Sequence, residues 1–200
     1  MAAGLRSGLT TSPHLVSWCE RIRVNDELIS LKTLRHTLEQ LQPVVEQCRL
    51  TPFEQLICSA LVHFEAHQPD WLVLEAGLGG RLDATTAHRF RPLIAVASIG
   101  MDHREHLGGS LEAIAAEKAA AISAGAHVIT AAQEPEVAAV LEQRVIDVNG
   151  TLQWVDALDE SWTLGLPGAL QKRNGAVAAA ALQWMSARNE TITSQAIRQG

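Results

Sequence analysis

The chain has 200 residues, 47 % of them hydrophobic, and its 22 acidic residues against 16 lysines and arginines give a formal charge of −6. This length suits one large domain or two small ones, and the apolar content is enough to build a core. Intrinsic disorder is excluded because it needs low hydrophobicity and high net charge. Nucleic-acid binding is disfavoured because no cluster of Lys and Arg appears, and no apolar run approaches the length of a membrane span.

The first part of the chain predicts two helices. Ser30 can cap a helix over about residues 31–47, in which leucines recur at helical spacing. Thr51, Pro52 and Glu54 form a capping-box pattern, which predicts that a second helix begins at this point. The three cysteines are far apart and form no Cys-x-x-Cys pair, so they are interpreted as thiols of a reducing cytosol.

Short apolar runs further along the chain predict strands. Trp71–Leu74 and residues 93–99 are typical of buried strands, and two more strands are expected at residues 126–131 and Thr151–Val155. Because helical patterns alternate with these strands, the expected fold class is α/β, with a mostly parallel sheet flanked by helices.

The intervening helices follow from their own start and stop signals. Ser110 predicts the start of an alanine-rich helix that Gly125 closes, and Pro135 opens another. Residues 174–187 predict a small-residue helix suited to close packing, whereas residues 156–167 are the least regular part of the chain and indicate a boundary or a long loop.

Polar residues follow two of the predicted strands directly. Glu75 comes after the first strand, and Asp102 and His103 come after the second. Ligands of parallel α/β sheets bind beyond the carboxyl ends of the strands, so these side chains are candidates for a divalent metal site. Taken singly, each is more often a solvated or structural loop residue. The glycine-rich loop at residues 77–83 favours close backbone approach to a ligand, but it matches neither a dinucleotide fingerprint nor a Walker A loop.

Other candidates carry less weight. His63 and His67 stand at i and i+4 within reach of one zinc ion, yet the metalloprotease order is absent and both are interpreted as surface residues. Glu117 and Lys118 form a charged pair in an alanine-rich helix. Either both face water, or Lys118 faces the strand ends, where burial makes it reactive.

Five sequence blocks occur in a fixed order. They are Thr11-Ser-Pro-His-Leu15 with Glu20-Arg-Ile-Arg-Val24; Leu50-Thr-Pro-Phe-Glu54; Leu74-Glu-Ala-Gly-Leu-Gly-Gly-Arg-Leu-Asp-Ala-Thr85; Ser98-Ile-Gly-Met-Asp-His103 with Leu107-Gly108; and Ile114-Ala-Ala-Glu-Lys-Ala119. In order and spacing the blocks resemble the folylpolyglutamate synthase and dihydrofolate synthase family of the Mur ligase superfamily. The resemblance covers nearly the whole chain and weakens after about residue 125.

The resemblance implies a fold and a reaction. The fold would be a Mur-ligase central domain of the P-loop NTPase type. The reaction would use ATP and Mg²⁺ to join L-glutamate to the carboxylate of dihydropteroate or tetrahydrofolate through an acyl phosphate. The expected setting is a cytoplasmic monomer of folate biosynthesis and one-carbon metabolism, with neither nucleic acid nor membrane as a partner.

The resemblance also implies roles for individual residues. Ser12, Glu75 and His103 match ligands of magnesium, although an imidazole is an unusual ligand for this cation. Lys118 matches a lysine that becomes carbamylated. Lys118 and His103 are therefore the predicted catalytic residues.

Substrate-binding positions are carried over in the same way. Three residues match the lining of the pterin pocket, and one matches an asparagine that contacts the adenine of ATP. They are Phe53, Asp83 and Ala84 for the pterin, and Asn174 for ATP. The chain departs from the family pattern at Thr86, which replaces an asparagine, at Leu170, which replaces a histidine, and at Ala120, which replaces a glycine.

A final expectation concerns completeness. In the family a phosphate loop precedes the first block and a further domain follows, so residues 1–200 are expected to be a partial central domain with little or no ligase activity alone. Two alternatives stay open at this stage: a Mur-type ligase of peptidoglycan precursors, and a non-catalytic remnant or pterin-binding module.

Overall fold

A computed structural model describes residues 2–189 and 191–199 of the chain. These residues form two compact units. Unit 1 runs up to Leu78 and includes Asp83–Ala87, whereas unit 2 contains Gly79–Leu82 and the chain from His88 onward. The glycine-rich loop is therefore divided between the units. The loop predicted at residues 156–167 is confirmed, since no helix or strand lies between Val155 and Ala169, but the division of the chain falls elsewhere.

Unit 1 contains a mixed four-stranded sheet with the order β3-β2-β1-β4. Its strands are β1 (Ser7–Thr10), β2 (Ile22–Val24), β3 (Glu27–Leu28) and β4 (Trp71–Leu74). β1 pairs with β4 in parallel and with β2 antiparallel, and β2 pairs antiparallel with β3. The parallel pair places the ends of β1 and β4 at the same edge, where polar residues follow both strands.

Two long helices belong to unit 1, and both begin where the sequence predicts. Helix α1 (Leu31–Cys48) is capped by Ser30, whose hydroxyl accepts the N–H of Thr33. Helix α2 (Pro52–His67) starts in a complete capping box formed by Thr51 and Glu54. The core of the unit consists of buried residues from the sheet, its loops and these helices. They are Cys19, Ile22, Val24, Ile29, Leu34, Leu56, Ala60 and Phe64.

Unit 2 contains a parallel sheet with the order β5-β6-β7, formed by β5 (Leu93–Val96), β6 (His127–Ala131) and β7 (Thr151–Val155). Its helices are α3 (Arg104–Leu107), α4 (Leu111–Ala119), α5 (Pro135–Asp147), α6 (Ala169–Ser186) and α7 (Ser194–Gln199). Val128 of β6 packs in a cluster with α4 and α5, whereas Ile129 packs in another with α6. The central strand is thus covered on both faces, as the α/β prediction requires.

Two strands predicted to be buried are not. In β4 Leu72 is 40 % exposed and Val73 is 54 % exposed. β5 ends at Val96 instead of continuing to residue 99, and Ala95 is exposed. Within the described residues, β4 and β5 are each the outermost strand of their sheet, with a neighbour on one side only. An outermost strand has fewer flanking side chains to cover it, which accounts for the exposure.

Two helix boundaries also differ from the predictions. α4 ends at Ala119 rather than near Gly125, because the chain tightens into i→i+3 turns, in which Ile122 donates its N–H to the carbonyl of Ala119 at 2.9 Å. α6 begins at Ala169, five residues before the predicted start. Among the helices of residues 2–189 and 191–199, none has both the length and the apolar character needed to cross a bilayer.

Candidate functional site

Ser12 and Glu75 meet at the shared edge of β1 and β4. The strand ladder continues one residue past Leu74, where the N–H of Glu75 donates to the carbonyl of Thr10 at 3.2 Å. The N–H of Ser12 in turn donates to Oε2 of Glu75 at 2.8 Å. The carboxylate is therefore held in place by backbone, while the Ser12 hydroxyl and the Glu75 oxygens provide the hard oxygen donors that Mg²⁺ prefers.

The pair of Ser12 and Glu75 suits Mg²⁺, which needs few protein ligands, better than it suits a metal ion bound only by protein side chains. In the part of the chain that the structure describes, no group of three or more His, Cys, Asp and Glu side chains comes together to hold a metal. Mg²⁺ keeps several waters and commonly binds through one or two carboxylates together with substrate phosphates. A single anchored carboxylate beside a hydroxyl, as at Glu75 and Ser12, suits that arrangement.

A second acidic residue shapes the loop after Ser12. Glu20 accepts the backbone N–H groups of Leu15, Val16 and Ser17 at 2.8, 3.0 and 2.6 Å. These bonds stabilise the carboxylate, with the bond from Leu15 contributing most, and they lower the pKa of Glu20 below its ordinary value of 4.5. The sequence reasoning assigned Glu20 no role, although the spacing of Ser17 and Glu20 is a capping-box signal that could have revealed it.

Asp83 closes the glycine-rich loop on itself. Its Oδ2 accepts the N–H groups of Gly77 and Leu78 at 2.8 and 2.9 Å. Its Oδ1 accepts the N–H of Thr85 at 2.9 Å and the Thr85 hydroxyl at 2.6 Å. Because the side chain is buried and both oxygens are engaged, Asp83 fixes the shape of the loop through its bonds to the backbone.

The other two predicted pterin residues lie around the same loop. A Cβ placed on Gly77 would stand 2.5 Å from Cζ of the Phe53 ring, so the ring packs directly on the glycine backbone. Ala84 is half-buried and begins the short 3₁₀ turn that follows Asp83. The structure thus brings Phe53, Asp83 and Ala84 together in unit 1.

The remaining predicted site residues belong to unit 2. His103 is exposed and lies directly before α3 with φ of +55°, in the left-handed region that few residues other than glycine adopt. Lys118 is half-buried in the last turn of α4, and its neighbour Glu117 accepts a bond from Arg81. Asn174 is half-buried in α6. The sequence assigns Arg81 no role, because its partner Glu117 lies 36 residues further along the chain.

Known proteins that resemble the chain are dihydrofolate and folylpolyglutamate synthases. The dihydrofolate synthase/folylpolyglutamate synthase of Bacillus subtilis is 31 % identical over 99 % of this chain and 53 % of its own length. The protein of the same name from Escherichia coli is 33 % identical over 100 % of this chain and 50 % of its own length. No family model matches the chain.

Solved structures agree. E. coli FolC in complex with DHPP and ADP superimposes with a TM-score of 0.85 at 31 % identity, covering 99 % of this chain and 50 % of that one. A folylpolyglutamate synthase in complex with AMPPCP and folate superimposes with a TM-score of 0.88 at 28 % identity, covering 99 % and 56 %.

The chain belongs to the folylpolyglutamate synthase and dihydrofolate synthase family. Membership confirms the prediction from the five sequence blocks, and it confirms an α/β, Mur-ligase-type fold with a mostly parallel arrangement of strands. The chain spans about half the length of the first two of these relatives. The complex with AMPPCP and folate was observed in the similar protein and not in this chain.

Proposed function

We propose that this chain forms part of an ATP- and magnesium-dependent ligase that joins L-glutamate to the carboxylate of a folate or dihydropteroate. The similar enzymes are named for this synthesis, and two of their structures hold adenine nucleotides together with folate or DHPP. The observation that carries the proposal is the pairing of Ser12 with Glu75 beside a loop closed by Asp83, all within the most distinctive sequence blocks.

The metal-binding part of the proposal rests on Ser12 and Glu75 of unit 1, and the resemblance alone adds His103 of unit 2. When bound, Mg²⁺ would offset the negative charge of the nucleotide phosphates and of the acyl phosphate. The N–H of Ser12 holds the Glu75 carboxylate in one orientation, so little conformational freedom is lost when a cation binds. His103, which is exposed and has a φ of +55°, would add an imidazole nitrogen.

In the substrate-binding part of the proposal, two residues contact the pterin and a third fixes the shape of the loop around it. Phe53 and Ala84 offer apolar surface to a pterin ring, and an aromatic side chain such as Phe53 can stack on a flat heterocycle. Asp83 holds the loop that carries these contacts, since its oxygens already accept bonds from the loop. Asn174 would contact adenine, and Lys118 would act as a carbamate. Both units would then belong to the central, ATP-binding domain of the ligase.

Glu75→Gln tests the proposal because it removes the anionic ligand while keeping shape and one acceptor oxygen. We expect titration calorimetry with Mg²⁺ and AMPPCP to show at least about tenfold weaker magnesium binding, because a charged oxygen donor becomes neutral. Glu65→Gln is the matched control, since Glu65 is exposed on α2 in the same unit. Equal binding by wild type and Glu75→Gln would show that the metal assignment is wrong.

The activity itself is measured by incorporation of labelled glutamate into dihydropteroate or tetrahydrofolate. The proposal expects ATP-dependent incorporation when the chain acts within its complete enzyme, and loss of incorporation in Glu75→Gln. Binding of a pterin with no incorporation under those conditions would instead support a pterin-binding module.

A further inference from the structure

The C-terminus of α4 is capped by the glycine-rich loop. The last carbonyls of a helix have no partner within it, and α4 has no glycine at its end to form a Schellman cap. The carbonyl of Lys118 receives N–H bonds from the turn that follows, including that of Ala121 at 3.1 Å. The carbonyl of Glu117 receives its N–H from Arg81, across 36 residues of sequence, at 3.1 Å.

The loop approaches this turn so closely that only glycine fits. A Cβ on Gly80 would stand 2.7 Å from the carbonyl oxygen of Lys118 and 2.9 Å from that of Glu117. Both atoms are backbone and cannot turn aside, so a side chain at this position would push the loop and the helix apart. Gly80 is buried, and the peptide of Lys118 is therefore packed directly against the loop.

Arg81 adds a side-chain bond to the same residue that its backbone contacts. Its Nε donates to Oε1 of Glu117 at 2.9 Å, with side-chain exposures of 55 % for Arg81 and 32 % for Glu117. An ion pair this exposed contributes little stability alone. Together, this ion pair and the backbone hydrogen bond tie the last turn of α4 to the glycine-rich loop at Glu117.

We propose that Arg81 is a positioning residue for Lys118, acting through Glu117 and the peptide packed against Gly80. The proposal rests on the proposed function, in which Lys118 acts as a carbamate. In that step the uncharged Nζ of lysine adds to the carbon of CO₂: an N–C bond forms, one C=O π bond opens and leaves its electron pair on oxygen, and one N–H proton is released to solvent. We expect carbamate formation to depend on where the last turn of α4 holds Lys118, and the two contacts of Arg81 with Glu117 hold that turn.

The test uses the whole chain and two readouts. Carbamate is measured by ¹³C NMR in ¹³C-bicarbonate as the signal that Lys118→Ala removes, and the mobility of residues 117–122 is measured by amide hydrogen exchange. The variants are Arg81→Gln, Glu117→Gln, their double variant and Arg81→Lys. Arg89→Gln is the control, because Arg89 is an exposed arginine of the same unit.

Both single variants are expected to lose about fivefold in carbamate occupancy and to exchange about fivefold faster, as loss of one partly exposed charged hydrogen bond implies. The double variant should lose no more than either single variant, because each single variant already removes the charge pairing of the same Arg81–Glu117 contact. Arg81→Lys should recover part of the loss, and Arg89→Gln should match wild type.

Contrary results separate the two proposals. Wild-type occupancy in Arg81→Gln would overturn the positioning role. A wild-type chain that forms no carbamate would overturn the role of Lys118 within the proposed function. In that case hydrogen exchange still decides whether Arg81 holds α4, and unchanged exchange in Arg81→Gln would overturn the contact as well.

Discussion

The two units are stabilised by different means. Unit 2 has an all-parallel sheet with a central strand buried on both faces, and its larger core cluster includes Ile114, Ile122 and Leu141, none of which is exposed to solvent. Unit 1 has a mixed sheet with short strands and a smaller core, but carboxylates hold its loops. Glu20 and Asp83 accept three backbone N–H groups each. Apolar burial thus dominates one unit, and charge-assisted hydrogen bonds shape the other.

This difference agrees with the roles that the proposed function gives to each unit. In the proposed function, the loops at the ends of β1 and β4 meet ligands, and loops that must stay open to ligands cannot be fixed by burying apolar side chains. A carboxylate that accepts several N–H groups fixes a loop while leaving its surface polar. Lys118, in contrast, lies on α4. One side of this helix packs in the core of unit 2, and its C-terminal end is hydrogen-bonded to the glycine-rich loop.

The largest expected effect comes from the core of unit 2. Ile114→Ala removes a fully buried side chain of α4 and should lower the free energy of unfolding by about 3 kcal/mol, through lost burial and the cavity left behind. Urea denaturation followed by tryptophan fluorescence measures the change. Ile146→Ala, at a residue that is 68 % exposed, should change it by less than about 0.5 kcal/mol. Similar losses in both variants would contradict the dominance of apolar burial.

The next effect tests the hydrogen-bonded loops of unit 1. Asp83→Ala leaves the N–H groups of Gly77, Leu78 and Thr85 without their acceptor and should cost about 2 kcal/mol. The change is measured by urea denaturation, with hydrogen exchange of the loop as a local readout. The matched control is Asp70→Ala, whose exposed carboxylate accepts one N–H from Arg6 and should contribute less than about 1 kcal/mol. If the two variants are equal, the Asp83 network does not stabilise the loop.

A smaller effect is expected at the start of α2. Thr51→Ala removes the hydroxyl that accepts the N–H of Glu54 and should cost about 1 kcal/mol, a typical value for an N-cap. Chemical denaturation measures it. The neighbouring helix offers a comparison, because Ser30 caps α1 with a single side-chain-to-backbone bond and no capping box. Thr51→Ala should therefore destabilise the chain at least as much as Ser30→Ala, and the reverse order would contradict the capping-box argument.

The smallest effect concerns pH. The backbone N–H of Thr51, and then its hydroxyl, lower the pKa of Glu54 below its ordinary value of 4.5. A carboxyl whose pKa is depressed by folding stabilises the fold above pH 4.5, and the contribution disappears as the pH falls through the depressed value. Glu54→Gln should therefore melt below wild type at neutral pH, and the gap should close in acid. A gap that persists in acid, or that Glu65→Gln reproduces, would contradict this origin.

Much of the fold could be predicted because its signals are local. The starts of α1, α2 and α5 follow from Ser30, Thr51 and Pro135, and the strands β6 and β7 follow from continuous apolar runs. The strands β1, β2 and β3 could not be predicted, because each is short and contains polar residues, so that none forms a continuous apolar run like that of β4. The exposure of β4 was missed because a run such as Trp71–Leu74 does not reveal how many neighbours its strand has.

The sequence by itself determined the family, the fold class and the identity of the candidate ligands, because these depend on residue types at given spacings. Only the tertiary structure decided how those residues are held. Ser12 donates a hydrogen bond to Glu75, 63 residues further along the chain, and Arg81 donates one to Glu117, 36 residues further along. The carboxylate of Asp83 points into its own loop and accepts hydrogen bonds there. Such bonds join chain segments that strand pairing and helix packing bring together, and no local pattern records that geometry.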